Sequence, residues 1–284
     1  MIRQARPTDL PQLITLWQEA FGESEADTRF YFEHRHADLN MLVHVDDQAL
    51  TGMLSMLPIQ LVTNGHALKA RYVFAVATRL SHRNRGISSR LMEKAHEAMR
   101  EEGSLAAVLV PADEGLFSYY ERRGYETAFF VDQIDVTAAE VETWPVHGVI
   151  EASSALDYKR TRDQAFSDLP LLVQWDETAL RYIKLGNERA GGSMIRLRYG
   201  DETACAVLEP RGDYLRITEF TGKKKHWQHA LALIHQQMKA DHYQMLLPAD
   251  YPVIGKTRPF GMIHWLKTPP ENASLPGYLA FAKD

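Results

Sequence analysis

Between residues 73 and 110 an apolar strand, a polar loop, an amphipathic helix and a second apolar strand follow one another almost without spacer. Val73–Thr78 is the first strand, and Arg83-Asn84-Arg85-Gly86-Ile87-Ser88 is the loop. Over Ser88–Glu102, Leu91, Ala95, Ala98 and Met99 fall on one helical face, and Gly103 stands at the helix end. Leu105–Val110 is a short apolar run of the kind buried on both faces of a sheet. The backbone N–H groups that open a helix have no intrahelical partner, and the helix dipole adds positive charge there, so this unit is a ready anion site. Gly86 lets a phosphate approach the backbone closely, and Arg83 and Arg85 add charge. A pyrophosphate suits that chemistry.

Upstream, Ile2–Arg6 reads as a strand, and Thr8–Asp9 offers caps to a helix carrying Leu10, Leu13, Leu16, Trp17 and Phe21, which Gly22 ends. Ser24 and Asp27 form a capping box for a second helix. Strands are predicted at Met41–Val45, Ala49–Met56, Ile59–Val62 and His66–Phe74, the last continuing to Thr78. Asn64-Gly65 is a strong hairpin signal between two of them. Beyond Pro111, a short helix over Leu116–Arg123 and a strand at Phe129–Val136 are expected.

A formal charge of -5 argues against nucleic acid as the main partner. MIRQARPTDL is not a secretion signal, no apolar run spans a bilayer, and Cys205 stands alone, which together predict a cytoplasmic chain with no membrane partner. His34 with His36, and His226 with His229, lack the carboxylate or thiol companions of a metal site, so none is expected.

The pieces YVFAVATRLSHRNRGISSRLM and LVPADEGLFSYYERRGY, in this order of elements, resemble the GNAT superfamily of N-acetyltransferases over roughly the first half of the chain. In that family the loop Arg/Gln-x-x-Gly-x-Gly/Ala grips the pyrophosphate of coenzyme A. Arg83 and Gly86 match it, while Ser88 stands where Gly or Ala is usual. The resemblance implies acetyl-CoA as cofactor, held by Phe74, Val76, Ala77 and Thr78 on the strand and by Arg83, Asn84, Arg85, Gly86, Ile87, Ser88 and Ser89 on the loop and helix. It also implies that Leu105–Val110 splays away to leave a slot. Tyr120, in Tyr120-Glu121-Arg122-Arg123-Gly124-Tyr125, matches the tyrosine that protonates the departing thiolate. Tyr119 is then the packing residue, and His82 an exposed neighbour of the loop. Asp113, Glu114 and Glu121 are unranked proton acceptors.

Trp144–Leu156 mixes Pro, Gly, Ser and Ala and is read as a linker. Beyond it the order restarts: helices at Tyr158–Phe166 and Glu177–Lys184, strands at Met194–Tyr199, Ala204–Glu209 and Tyr214–Glu219, a helix over His226–Lys239 and a strand at Tyr243–Leu247. Met262–Leu266 and Tyr278–Phe281 close the pattern. The expectation is an α/β (α+β) protein of two tandem GNAT-like domains, 1–145 catalytic and 146–284 a diverged copy. Thr221-Gly222-Lys223-Lys224-Lys225 holds the loop position in the copy but lacks the motif, so its lysines are read as solvated. The copy is expected to shape the acceptor pocket or a homo-oligomer contact.

The tandem arrangement also looks like the enhanced-intracellular-survival acetyltransferases, without their sterol-carrier-like domain. In that group the terminal carboxylate is the base, a role that would fall to Asp284 by position only. The acceptor implied is a primary amine on a small molecule, attacked directly without an acyl-enzyme. Two rivals remain: aminoacyl transfer from charged tRNA in a tandem fold of this type, and a non-enzymatic coenzyme A-binding sensor or scaffold.

Overall fold

The computed structural model describes residues 1–249, 255–270, 273 and 276–281, without the side chain of Asp38. Packing divides the chain into two compact units rather than at a single cut after residue 145. Unit 1 comprises Met1–Leu61, Ala67–Thr127 and a segment beginning at Gly261; unit 2 comprises Val62–His66, Ala128–Phe260 and the segment from Asn272.

In chain order the first elements are β1 (Ile2–Gln4), α1 (Leu10–Phe21), α2 (Glu25–His34), β2 (Met41–Asp46), β3 (Ala49–Thr63), β4 (His66–Thr78), α3 (Ile87–Glu101), β5 (Ala106–Leu109), α4 (Glu114–Glu121) and β6 (Glu126–Thr137). There follow α5 (Ala138–Val141), β7 (Val149–Ala152), α6 (Ala155–Ala165), β8 (Leu172–Gln174), α7 (Glu177–Arg189), β9 (Ser193–Tyr199), β10 (Glu202–Arg211), β11 (Tyr214–Phe220), α8 (Trp227–Gln237), β12 (His242–Pro248) and β13 (Lys256–Trp265). The fold is mixed α/β, with helices flanking a mixed sheet.

Unit 1 orders its strands β1-β2-β3-β4-β5-β13. β1 with β2, β2 with β3, and β5 with β13 run antiparallel, whereas β4 and β5 run parallel. Asn64 and Gly65 take φ of 49° and 75°, the left-handed pair that a two-residue hairpin turn needs. α3 packs Leu91, Met92, Ala95 and Met99 into a core with Leu54, Val73, Ala107, Leu109 and Met262.

Unit 2 orders its strands β6-β12-β11-β10-β9-β7. Its elements from β7 to β12 repeat the order of unit 1 from β1 to β5: a strand, two helices, a three-strand meander, a helix, and a strand parallel to the last of the meander. β8 is an addition within that order.

Some expectations change. β3 is one strand through Leu57-Pro58 where two were expected. Thr8–Asp9 does not cap α1: the Asp9 carboxylate accepts from Arg3 and from the Arg6 N–H, bracing the turn before the helix. Trp144–Leu156 is no linker, because it contains β7, which pairs antiparallel with β9 from Val149↔Arg198 to Ala152↔Ile195. Tyr278–Phe281 is not a strand but makes an isolated bridge at Tyr278. Lys224 is not solvated: it is 4% exposed and lies 3.4 Å from the fully buried Asp132 carboxylate. Lys223 pairs with Glu202 at the surface.

Candidate active site

The site assembles in unit 1 around the ends of β4 and β5. β4 and β5 pair at only two positions, Arg71↔Ala107 and Tyr72↔Val108, and part beyond them. Ala75, just past the parting, takes φ of 51°, a left-handed conformation costly for a residue with a Cβ and concentrated at functional positions. Around it Phe74, Val76 and Thr78 are half-buried while Ala75 and Ala77 are buried. The Phe74 ring packs near Trp17, Tyr31 and Tyr72. Thr78 Oγ1 is buried without a hydrogen-bond partner among the described residues.

The chain leaves β4 through a turn that α1 secures. Glu19 accepts from the Leu80 N–H at 2.6 Å and pairs with Arg79 at 3.3 Å, while Arg79 Nε donates to the Leu50 carbonyl. Sequence reasoning missed Glu19, which lies some sixty positions from its partners and had no local signal. Arg83, Asn84, Arg85 and Gly86 are exposed, with Asn84 at φ 62° and Gly86 at φ 70°.

Gly86 is the N-cap of α3 and makes no side-chain capping bond. Ser24, Asp113, Ser154 and Asp176 cap α2, α4, α6 and α7 with side-chain oxygens, whereas α1 and α8, like α3, carry no side-chain cap. The first turn of α3, Ile87 to Ser89, thus has N–H groups that no side chain caps, the kind of helix start at which anions bind. Ile87 contributes only its backbone, since its side chain is core. Gly52 makes room for it: a Cβ there would lie 2.8 Å from Ile87 Cγ2 and 3.0 Å from Leu91 Cδ1.

Across from this turn stands α4. Tyr120 is 8% exposed, and burial first, then the neighbouring Tyr119, pushes its phenol up to about 12. Tyr119 does more than pack, because its hydroxyl is 2.7 Å from Ser88 Oγ. Arg123 donates to Ser89 Oγ and to the Tyr119 carbonyl. Asp113 is used as the cap of α4. His82 shares a hydrogen bond with Ser81. Asp284 lies outside the described residues.

The equivalent loop of unit 2 is built differently. β11 and β12 stay paired over four positions, Tyr214↔His242 to Ile217↔Met245. A Cβ on Gly222 would lie 2.2 Å from the Phe220 ring and 2.7 Å from the Tyr199 hydroxyl, so aromatic side chains fill the space over that loop. Among the described residues, no cluster of His, Cys, Asp or Glu could hold a metal ion, and no helix is long and apolar enough to cross a membrane.

These features set a helix N-terminus without a side-chain cap beside a parted parallel strand pair. Residues 1–128 match the family described as the acetyltransferase (GNAT) domain. That match covers just under half of the chain and gives residues 1–128 the character of a GNAT-type acyltransferase domain. Solved structures agree in fold along almost the whole chain. A GCN5-related N-acetyltransferase from Anabaena variabilis ATCC 29413 superposes with a TM-score of 0.75 at 15% identity, over 94% of this chain and 73% of that one. A probable N-acyltransferase from Enterococcus faecalis V583 gives 0.72 at 16%, over 94% and 72%. Eis1 from Mycobacterium abscessus gives 0.66 at 14%, over 94% and 74%. No curated protein matches the chain significantly.

Proposed function

We propose that the protein is an N-acetyltransferase that moves an acetyl group from acetyl-CoA to a primary amine of a small molecule by direct attack. The observation that carries this reading is the uncapped first turn of α3, set beside a β4–β5 pair that parts after Tyr72↔Val108. Bound acetyl-CoA would supply an activated thioester. Gly86 and the open N–H groups of Ile87, Ser88 and Ser89 would hold the pyrophosphate, with Arg83, Asn84 and Arg85 around it. Backbone groups of Phe74, Val76, Ala77 and Thr78 would line the slot.

Tyr120 holds its proton at any working pH, because burial raises the phenol to about 12. It therefore serves as a hydrogen-bond donor toward a developing thiolate and releases its proton only as negative charge accumulates there. The residues from 146 onward act as a diverged copy without a second cofactor, consistent with the filled loop at Gly222. A cytoplasmic setting fits the lone, buried Cys205.

Calorimetric titration with acetyl-CoA tests the reading on wild type and on the double variant Arg83→Glu/Gly86→Glu. Micromolar binding that the double variant loses is the expected result. Equal binding in both moves the cofactor elsewhere, and no binding to either sinks the acetyltransferase reading. If binding holds but no amine is acetylated, and Tyr120→Phe changes nothing, the protein is a coenzyme A sensor instead.

A further inference from the structure

Side chains that neither motif requires tie the phosphate loop to the tyrosine helix. Ser88 Oγ and the Tyr119 hydroxyl lie 2.7 Å apart. Arg123 donates from Nη2 to Ser89 Oγ at 2.7 Å and from Nη1 to the Tyr119 carbonyl at 2.7 Å. Its guanidinium also lies 3.4 Å from the Tyr119 ring centroid, well within cation–π range. The two serines of the first turn of α3 thus grip both ends of the stretch 119–123.

Tyr120 sits inside that grip. Its ring meets Tyr119 edge-on at 5.1 Å, and its carbonyl accepts from the N–H of Arg123 and of Tyr125. The hydroxyls of Ser88 and Ser89 are spent on Tyr119 of α4 and on Arg123 just after it, which leaves their backbone N–H groups for an anion. A residue without a hydroxyl at position 88 could not make the first link.

We infer that Ser88, Ser89, Tyr119 and Arg123 form a latch through which filling of the phosphate loop fixes the position of Tyr120. All four are positioning residues in this role, and the inference rests on the acetyl-CoA reading. An anion bound at a helix N-terminus orders that turn. Groups sharing hydrogen-bond partners respond together rather than bond by bond. Ordering Ser88 and Ser89 therefore orders Tyr119 and Arg123, and Tyr120 between them.

The test is hydrogen exchange of the intact protein with and without coenzyme A, alongside calorimetry with the same ligand. In wild type, coenzyme A is expected to slow exchange both in the first turn of α3 and in α4. Tyr119→Phe and Arg123→Met should each bind coenzyme A within about threefold of wild type, because neither side chain is placed on the ligand. Each should protect α3 but no longer α4, and the double variant should do no worse than either single one. Undiminished α4 protection in Tyr119→Phe overturns the latch. So does a loss of coenzyme A affinity beyond about tenfold, the size expected when a direct hydrogen bond to a charged group is removed. A wild type that fails to bind coenzyme A overturns the proposed function itself, whereas binding without coupling overturns the latch alone.

Discussion

His96 makes unit 1 sensitive to acid in a way that can be worked out in advance. It lies on α3, 7% exposed, with Nε2 2.9 Å from the Tyr125 hydroxyl and its ring stacked on His264 at 4.3 Å. Burial, reinforced by His264 and Arg100, lowers its pKa from 6.5 to about 3. The folded pKa is the lower one, so between about 3 and 6.5 the unfolded chain takes up a proton that the folded chain refuses. Stability from this group is whole above pH 6.5 and falls as pH drops through that window. The slope is about 1.4 kcal/mol per pH unit, and the full window amounts to roughly 5 kcal/mol. That is comparable to the whole stability of a small domain, about 5–15 kcal/mol.

The perturbation is His96→Phe, which keeps an aromatic ring on His264 but cannot bind a proton. At pH 7.5 the variant should be weaker by about 1–3 kcal/mol, because the Tyr125 hydroxyl loses its partner. Urea unfolding followed by tryptophan fluorescence from pH 4.5 to 7.5 should show the wild-type stability falling more steeply. The two curves should converge, or cross, toward low pH. Parallel curves would mean that His96 is not held neutral by its surroundings.

Arg162 and Glu219, each fully buried and 3.0 Å apart, should behave as an uncompensated charge when split: Arg162→Met is expected to cost about 3–5 kcal/mol in denaturant unfolding. Gly52→Ala should cost about 1–3 kcal/mol by pushing Ile87 off the sheet, and calorimetry should show weaker coenzyme A binding because the first turn of α3 moves with it. Tyr120→Phe should bind acetyl-CoA normally and lower kcat by about 10²-fold or more at saturating cofactor, as expected for loss of a positioned proton donor. An unchanged kcat would remove Tyr120 from the chemistry.

Features specified by neighbouring residues were legible in the sequence. The Asn64-Gly65 turn, the Ser24 cap of α2 and the loop from Arg83 to Ser88 each depend on chemistry within a few positions. Features that depend on distant partners were not. β3 runs unbroken past Pro58 because its sheet neighbours hold it, although the proline interrupts the local pattern. β7 hides in a Pro- and Gly-bearing stretch because β9 supplies its partner forty-odd residues later. Lys224 looks like one of a solvated run until Asp132, ninety-two positions away, is seen beside it. At the candidate site, the residue types of the loop stand in the sequence, but the contacts that support the loop do not. Glu19, Gly52 and the Ser88–Tyr119 contact are all long-range facts.

The parallel edge of unit 1 is completed late. β5 takes β13 as its antiparallel neighbour, from Met262↔Leu109 to Trp265↔Ala106. In unit 2, the buried Arg162 and Trp175 both donate to the carbonyl of Leu279. A ribosome working from the N-terminus therefore releases a nearly finished site early, yet neither unit can close until residues past 260 have emerged. Until then β5 is a bare strand edge and Arg162 lacks one acceptor, which is when a nascent chain most needs protection from neighbours of its own kind.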